Sequence, residues 1–211
     1  MKIRFFNANI LMLDEKNDFV LGEVCVLDNT IIYVGKEKNK SFLADREINV
    51  FGNILMPGFV NAHAHSAMTL FRGVCDDAGL DEWLNDNIVP MEKNLQKNDV
   101  YWGTKLAILE QFSAGITTCE DLYFRKEESI KAFVELGQRA RIGLGFLGNG
   151  ENDGEEDVKN FASLKHDLIS FVLYAHSIYS CSENEFEKLV AFSKKFRLPV
   201  STHLSETLKE V

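Results

Sequence analysis

The chain has 211 residues, enough to bury a substantial core, and its apolar and charged fractions (45% and 26%) are those of a globular protein. Its 32 acidic against 23 basic residues, with no Lys/Arg-rich block, argue against a nucleic-acid surface. No apolar run approaches the ~20 residues that cross a bilayer, and Met1 to Asn7 do not read as a signal peptide. Four scattered cysteines (Cys25, Cys75, Cys119, Cys181) lack C-x-x-C spacing. They read as buried or half-buried thiols of a reducing compartment, so the expected location is cytoplasmic.

Residues 1–55 read as β-structure. Residues 3–12 form an extended apolar-rich run, and residues 23–27 and 30–34 are joined by Asp28-Asn29, which is hairpin-turn chemistry. Residues 48–50 and 54–55 continue in short pieces, and the Lys-rich stretch 36–40 reads as a solvated loop. After Pro57, strands and helices alternate. Residues 59–62 form a strand, and residues 80–95 carry helical spacing on Leu80, Trp83, Leu84 and Ile88, interrupted at Pro90. Residues 99–113 form a helix with Asn98 or Asp99 as its N-cap and Gly115 beyond its end. Further strands are expected at 117–122, 140–146, 170–175 and 198–202, and further helices at 129–136, 158–168 and 182–196. The last helix opens on a capping box of Ser182 and Glu185. Residues 148–157 form an acidic, glycine-rich loop. Five strands with helical connections imply a parallel α/β sheet.

The chemistry-bearing residues collect at one end of that scheme. In Met56-Pro57-Gly58-Phe59-Val60-Asn61-Ala62-His63-Ala64-His65, two histidines at i and i+2 leave a strand on the same side. Neutral imidazole suits zinc or iron, although two ligands do not define a site. Glu120 and Asp121 lie near the end of the second strand of the alternating region, His176 follows the fourth and His203 ends the fifth. In a (β/α) barrel the active site is built at these C-terminal strand ends. A catalytic metal site needs about three protein ligands and an open position, and the metal lowers the pKa of water toward neutrality. Glu206, three residues past His203, is placed to carry protons; a helix-start glutamate favoured by the dipole has the same pattern. His176 fits a fourth ligand, a substrate hydrogen-bonding group or a buried structural histidine, and spacing does not choose among them. His166 falls inside a polar amphipathic helix, faces solvent and receives no role.

The run Pro57 to His65 followed by Ser66-Ala67-Met68-Thr69-Leu70-Phe71-Arg72-Gly73 resembles the amidohydrolase superfamily. The resemblance is to its branch of deaminases acting on 5′-methylthioadenosine and S-adenosylhomocysteine, with related chlorohydrolases. Asp81-Glu82-Trp83-Leu84 leading to Pro90-Met91-Glu92 is similar to the same branch, as are Ala175-His176-Ser177 with Tyr179-Ser180-Cys181-Ser182 and Thr202-His203-Leu204-Ser205-Glu206-Thr207. The resemblance implies that His63, His65 and His203 bind one divalent metal, zinc or another such as Fe2+. It implies that Glu206 shuttles protons and that Glu92 and His176 contact substrate, Glu92 through ribose hydroxyls. The implied fold is an incomplete (β/α)8 TIM-type barrel, about the first five βα units over residues 56–211. Residues 1–55 would form part of a β-sandwich beside it. The partner is a small nucleoside-like or heteroaromatic molecule, with no nucleic acid or membrane, and the complete enzyme is open to homo-oligomerisation.

The family pattern also calls for another metal-binding histidine and an aspartate on later strands. All five histidines of this sequence are accounted for, so the chain reads as an N-terminal fragment of a deaminase. Alternatives are a chlorohydrolase or amidase of the same superfamily, or an inactive remnant that needs a missing half. Family members that deaminate S-adenosylhomocysteine hold its carboxylate with arginines, yet residues 143–157 contain no arginine or lysine and carry Glu151, Asp153, Glu155, Glu156 and Asp157. A neutral or cationic ring amine is therefore as well matched as S-adenosylhomocysteine.

Overall fold

The structure, a computed structural model, describes residues 1–15, 18–36, 38–146, 154–208 and 210–211. The chain divides into two compact units, Met1–Gly58 and Phe59–Val211.

The first unit is a five-stranded sheet of β1 (Lys2–Leu11), β2 (Phe19–Leu27), β3 (Thr30–Gly35), β4 (Arg46–Asn49) and β5 (Ile54–Leu55). The order is β3-β2-β1-β4, with β5 also on β1; β1, β2 and β3 are antiparallel, whereas β4 and β5 run parallel to β1. The Asp28-Asn29 turn forms as its composition predicts, with Leu27 paired to Thr30 and Asp28 in the left-handed region (φ +54). Alternation along the strands buries Ala8, Ile10 and Val24 on one side. Buried Arg4 pairs with Glu23 and Glu47 and donates to the carbonyls of Asn39 and Phe42, at 2.9 and 2.6 Å. Those bonds tie the loop before β4 to the sheet.

The second unit contains a five-stranded, all-parallel sheet. Its strands are β6 (Phe59–Ala64), β7 (Ile116–Asp121), β8 (Arg139–Phe146), β9 (Ile169–Ser177) and β10 (Val200–His203), in the order β10-β9-β8-β7-β6. Parallel neighbours need long crossovers. These are supplied by α1 (Leu80–Glu82), α2 (Val89–Glu92), α3 (Lys97–Ser113), α4 (Lys126–Leu136), α5 (Gly154–Phe161) and α6 (Glu183–Phe196). Ile142, Leu144, Phe146, Phe171, Leu173 and Ala175 pack in one core with Ile108, Phe133, Val158 and Leu189 of the helices. The strand direction, order and helical crossovers fit part of a TIM-type barrel.

Several expected boundaries move, each for a local reason. Pro90 does not interrupt its helix: residues 80–92 stay helical because a π-helical turn, Trp83–Ile88, precedes α2 and places Pro90 in that helix's first turn, where no donor is required. Helix α3 starts at Lys97 with Gln96 as N-cap, and Asp99 is the reciprocal capping-box residue rather than the cap. Helix α5 begins and ends earlier than expected, with Glu155, Glu156 and Asp157 in its first turn, where the helix dipole favours carboxylates. His166 consequently lies in an exposed loop and not on a helix, its Nδ1 accepting from the Leu168 N–H at 3.1 Å. Residues 148–153 of the expected acidic loop lie outside the described residues, and residues 154–157 belong to α5. Cys25, Cys119 and Cys181 are buried, Cys75 is exposed, and all four are unpaired thiols. No helix of the described residues is long and apolar enough to cross a membrane.

Candidate metal centre

His63 and His65 leave the C-terminal end of β6, and His203 ends β10. Their ligand atoms lie within 4.8 Å of one another, and they are the one group of three or more His, Cys, Asp or Glu side chains so arranged among the described residues. The Nε2 of His63 is 3.2 Å from Nε2 of His65 and 3.2 Å from Nε2 of His203. His63 is exposed, His65 half-buried and His203 buried, so the cluster is open on one side.

Backbone carbonyls set the tautomers. His65 Nδ1 is 2.6 Å from the Leu122 carbonyl, and His203 Nδ1 is 2.8 Å from the His176 carbonyl. A carbonyl only accepts, so both Nδ1 atoms carry the proton and both Nε2 atoms present lone pairs. The Tyr174 hydroxyl lies 3.1 Å from the same His203 nitrogen. Burial lowers the His65 pKa from 6.5 to about 4, against the smaller opposing pull of the Leu122 carbonyl. Burial and the neighbouring His203 lower that of His63 as well. Neutral rings are the ligating form.

These residues fit a divalent cation. One Nε2 proton on His63 can serve only one of its two lone-pair neighbours at a time, whereas a cation serves all three nitrogens. For nitrogens about 2.05 Å from zinc, a tetrahedral edge is about 3.3 Å, close to the two 3.2 Å separations. Carbonyl partners on Nδ1 are the usual outer support of such ligands.

The other expected site residues fall into two places. His176 stands beside the cluster, its ring centroid 4.9 Å from that of His203. Its Nδ1 is 3.0 Å from Ser180 Oγ and 3.3 Å from Ser177 Oγ, and burial followed by His203 lowers its pKa. Glu206 is exposed, accepts from the Tyr179 hydroxyl at 3.3 Å, and its charge acts on both His63 and His176. Glu120 acts on His63 in the same sense and faces Arg141 at 3.6 Å. Glu92 accepts from the Tyr123 hydroxyl at 2.7 Å, which anchors it to the segment just beyond β7. Burial raises its pKa, and the Tyr123 bond opposes this.

Sequence reasoning gave no task to Tyr123 or Tyr174, and it quoted Tyr179 and Asp121 without assigning them one. Asp121 Oδ1 accepts from the Ser66 N–H at 2.7 Å. The available signal was position, since Asp121 and Tyr123 stand at the C-terminal end of β7 as the histidines stand at the C-terminal ends of β6 and β10. The two carbonyls that orient His65 and His203 have no side-chain signature at all.

Residues 54–211 match the family model described as "Amidohydrolase family". The 5-methylthioadenosine/S-adenosylhomocysteine deaminase of Halothermothrix orenii is 37% identical over 224 residues, covering 100% of this chain and 51% of the relative. The 5'-deoxyadenosine deaminase of Methanocaldococcus jannaschii is 37% identical over 207 residues, covering 93% of this chain and 49% of the relative. Among solved structures, a zinc-bound adenosine deaminase from Xanthomonas campestris superposes with a TM-score of 0.87 at 27% identity, over 100% of this chain and 50% of that one. A triazine hydrolase from an Arthrobacter aurescens source shares the fold alone, with a TM-score of 0.86 at 17% identity over 98% of this chain and 53% of that one. The chain spans about half the length of the curated relatives it matches. With three quarters of its residues under the family model, and the histidines of the cluster within that stretch, the chain belongs to the amidohydrolase family.

Proposed function

We propose that these residues are the front half of a metal-dependent hydrolytic deaminase that replaces an exocyclic amine on an adenosine-type or other heteroaromatic ring with oxygen. On this reading, residues 56–211 are about five βα units of an eight-unit barrel, and residues 1–55 are part of a sandwich. The complete enzyme is cytoplasmic and works on a small molecule.

His63, His65 and His203 would hold one zinc, or another divalent ion such as Fe2+. Held there, the cation supplies the Lewis acidity that makes water nucleophilic near neutral pH. Glu206 would accept the proton released as water attacks and deliver it to the ring nitrogen; it would then take the proton of the newly attached hydroxyl and pass it to the amino group, which leaves as ammonia as the carbon–oxygen bond becomes a carbonyl. Its exposure and its single long bond to Tyr179 leave the carboxylate free to turn between donor and acceptor. His176, with Nδ1 turned to two serine hydroxyls, keeps Nε2 for a substrate atom. Glu92 keeps one oxygen on Tyr123 and offers the other to ribose hydroxyls. Residues 143–157 offer no arginine or lysine to a substrate carboxylate, which leaves a neutral or cationic ring amine as well matched as S-adenosylhomocysteine.

The observation that carries the reading is the convergence of three Nε2 atoms, two of them fixed as lone-pair donors by carbonyls behind them. The test is metal analysis of the purified chain, then ammonia release from 5′-methylthioadenosine, adenosine and guanine by a polypeptide of the relatives' full length carrying these residues. One equivalent of zinc, lost in His203→Ala, and ammonia release lost in Glu206→Gln are expected. A chain that binds no divalent metal, or binds it equally without His203, refutes the assignment.

A further inference from the structure

The end of β7 grips the segment that carries His65. The Leu122 N–H donates to the Ala64 carbonyl at 2.8 Å, His65 Nδ1–H donates to the Leu122 carbonyl at 2.6 Å, and the Ser66 N–H donates to Asp121 Oδ1 at 2.7 Å. Two residues of one strand end thus hold three consecutive residues of the next. The third bond differs in kind, because its acceptor is a carboxylate that is only 1% exposed.

The need for that bond follows from what His65 does. Ser66 opens a 3-10 helix, Ser66–Phe71, and the first N–H groups of a helix have no partner inside it. The residue before a helix ordinarily supplies a side-chain acceptor. Here that residue is His65, which makes no capping bond. Its ring is committed to the Leu122 carbonyl on one side and to the histidine cluster on the other. Asp121 supplies the acceptor instead, from a neighbouring strand 55 residues away. It shares the inward, helix-packed side of β7 with Cys119, two residues earlier. It therefore reaches the metal centre through Ser66 and not by its own oxygens. A buried carboxylate is costly unless its surroundings compensate; burial pushes the Asp121 pKa up, the Ser66 N–H, the Ser66 and Ser129 hydroxyls and Lys126 oppose this, and Oδ2 has no hydrogen-bond partner among the described residues.

We propose that Asp121 is the positioning residue of the metal centre: it caps in trans the turn that begins at Ser66, which releases the His65 ring for the cation. The proposal rests on the metal reading of the three histidines.

Zinc dissociation constants, measured on the full chain by competition with a chromophoric chelator, and the visible absorption of the Co2+ form test it together. Asp121→Ala should weaken zinc about 10- to 100-fold, the usual loss when an outer support of a ligand is removed, and should alter the Co2+ spectrum. Asp121→Asn keeps an acceptor oxygen and should stay within about threefold of the parent with an unchanged spectrum. If Asp121→Ala does not fold, Ser66→Pro removes the donor at a first-turn position that tolerates proline and should show the same loss. A folded Asp121→Ala with parental affinity and spectrum overturns the proposal, as does an Asp121→Asn chain as weak as Asp121→Ala. If the parent chain itself binds no zinc and His203→Ala behaves identically, the metal reading fails and this proposal fails with it. That outcome is distinct from the first two, in which the parent binds.

Discussion

Acidification of the metal-free chain should unfold it through His65. The folded-state pKa of this ring is lowered to about 4 from 6.5, chiefly by burial. Between those values the unfolded chain takes up a proton that the folded chain refuses, so stability rises with pH across the window. The contribution is fully present above about pH 6.5 and is lost progressively down to about pH 4. At about 1.4 kcal/mol per pH unit of difference, the whole window amounts to about 3 kcal/mol, of which about 2 kcal/mol is lost between pH 7 and pH 5. His63 and His176, also lowered by burial, act in the same direction. Urea unfolding at pH 7, 6 and 5, with a chelator present, measures the loss in the parent chain and in His65→Gln, which cannot titrate there. The parent should lose about 2 kcal/mol more than the variant over that range. Parallel profiles for the two chains would show that His65 is not held neutral, and with that the lone pair assigned to its Nε2 would go.

Tyr123→Phe should raise the Glu92 pKa further, because the Tyr123 hydroxyl is the one group opposing the effect of burial; NMR titration of the labelled carboxylate reads this, and no change would remove Tyr123 as its anchor. Gly145→Ala should cost more than about 2 kcal/mol in denaturant unfolding, since Gly145 sits at φ +149 and an added Cβ would lie 2.1 Å from the Tyr174 carbonyl oxygen. A variant as stable as the parent would mean that β8 and β9 do not pack this closely. Ser182→Ala removes the acceptor that Glu185 N–H uses at the start of α6 and should cost about 1 kcal/mol by the same measurement.

Where local chemistry decides the structure, the sequence was legible. The Asp28-Asn29 turn and the Ser182/Glu185 capping box are contained in a few adjacent residues, and both form as read. The alternation of apolar runs with helical spacing was enough to find all five parallel strands: β7, β8 and β9 bury residues against the helices, and the more exposed outer strands β6 and β10 still read as short apolar runs ending in histidine. Boundaries failed where a signal is shared between positions. Asp99 has the composition of a cap and serves as the partner of one, and Pro90 reads as a breaker because sequence does not reveal the π-turn that accommodates it. At the site, the histidines stood out as residue types at strand ends. Their orientation did not, since it depends on the carbonyls of Leu122 and His176, 57 and 27 residues from the rings they hold. Any residue type can provide such an acceptor, and only the register of neighbouring strands determines which one does.

The strand order makes the histidine cluster a statement about the shape of the sheet. β6 and β10 are its two outermost strands, with β7, β8 and β9 between them. In a flat sheet, four steps of about 4.8 Å would separate the outer strands by about 19 Å. Yet the Nε2 atoms of His63 and His203, one from each outer strand, are 3.2 Å apart. The sheet therefore curls so that its edges approach each other at the C-terminal end. Twist and curl of a parallel sheet follow from strand sterics and from packing helices on one face, and here that face is lined by Phe133, Ile142, Leu144 and Leu173. The core on the helix side thus brings the rings on the other side together. The short sequence His-Ala-His supplies two of the three rings, and the curvature of five strands supplies the third.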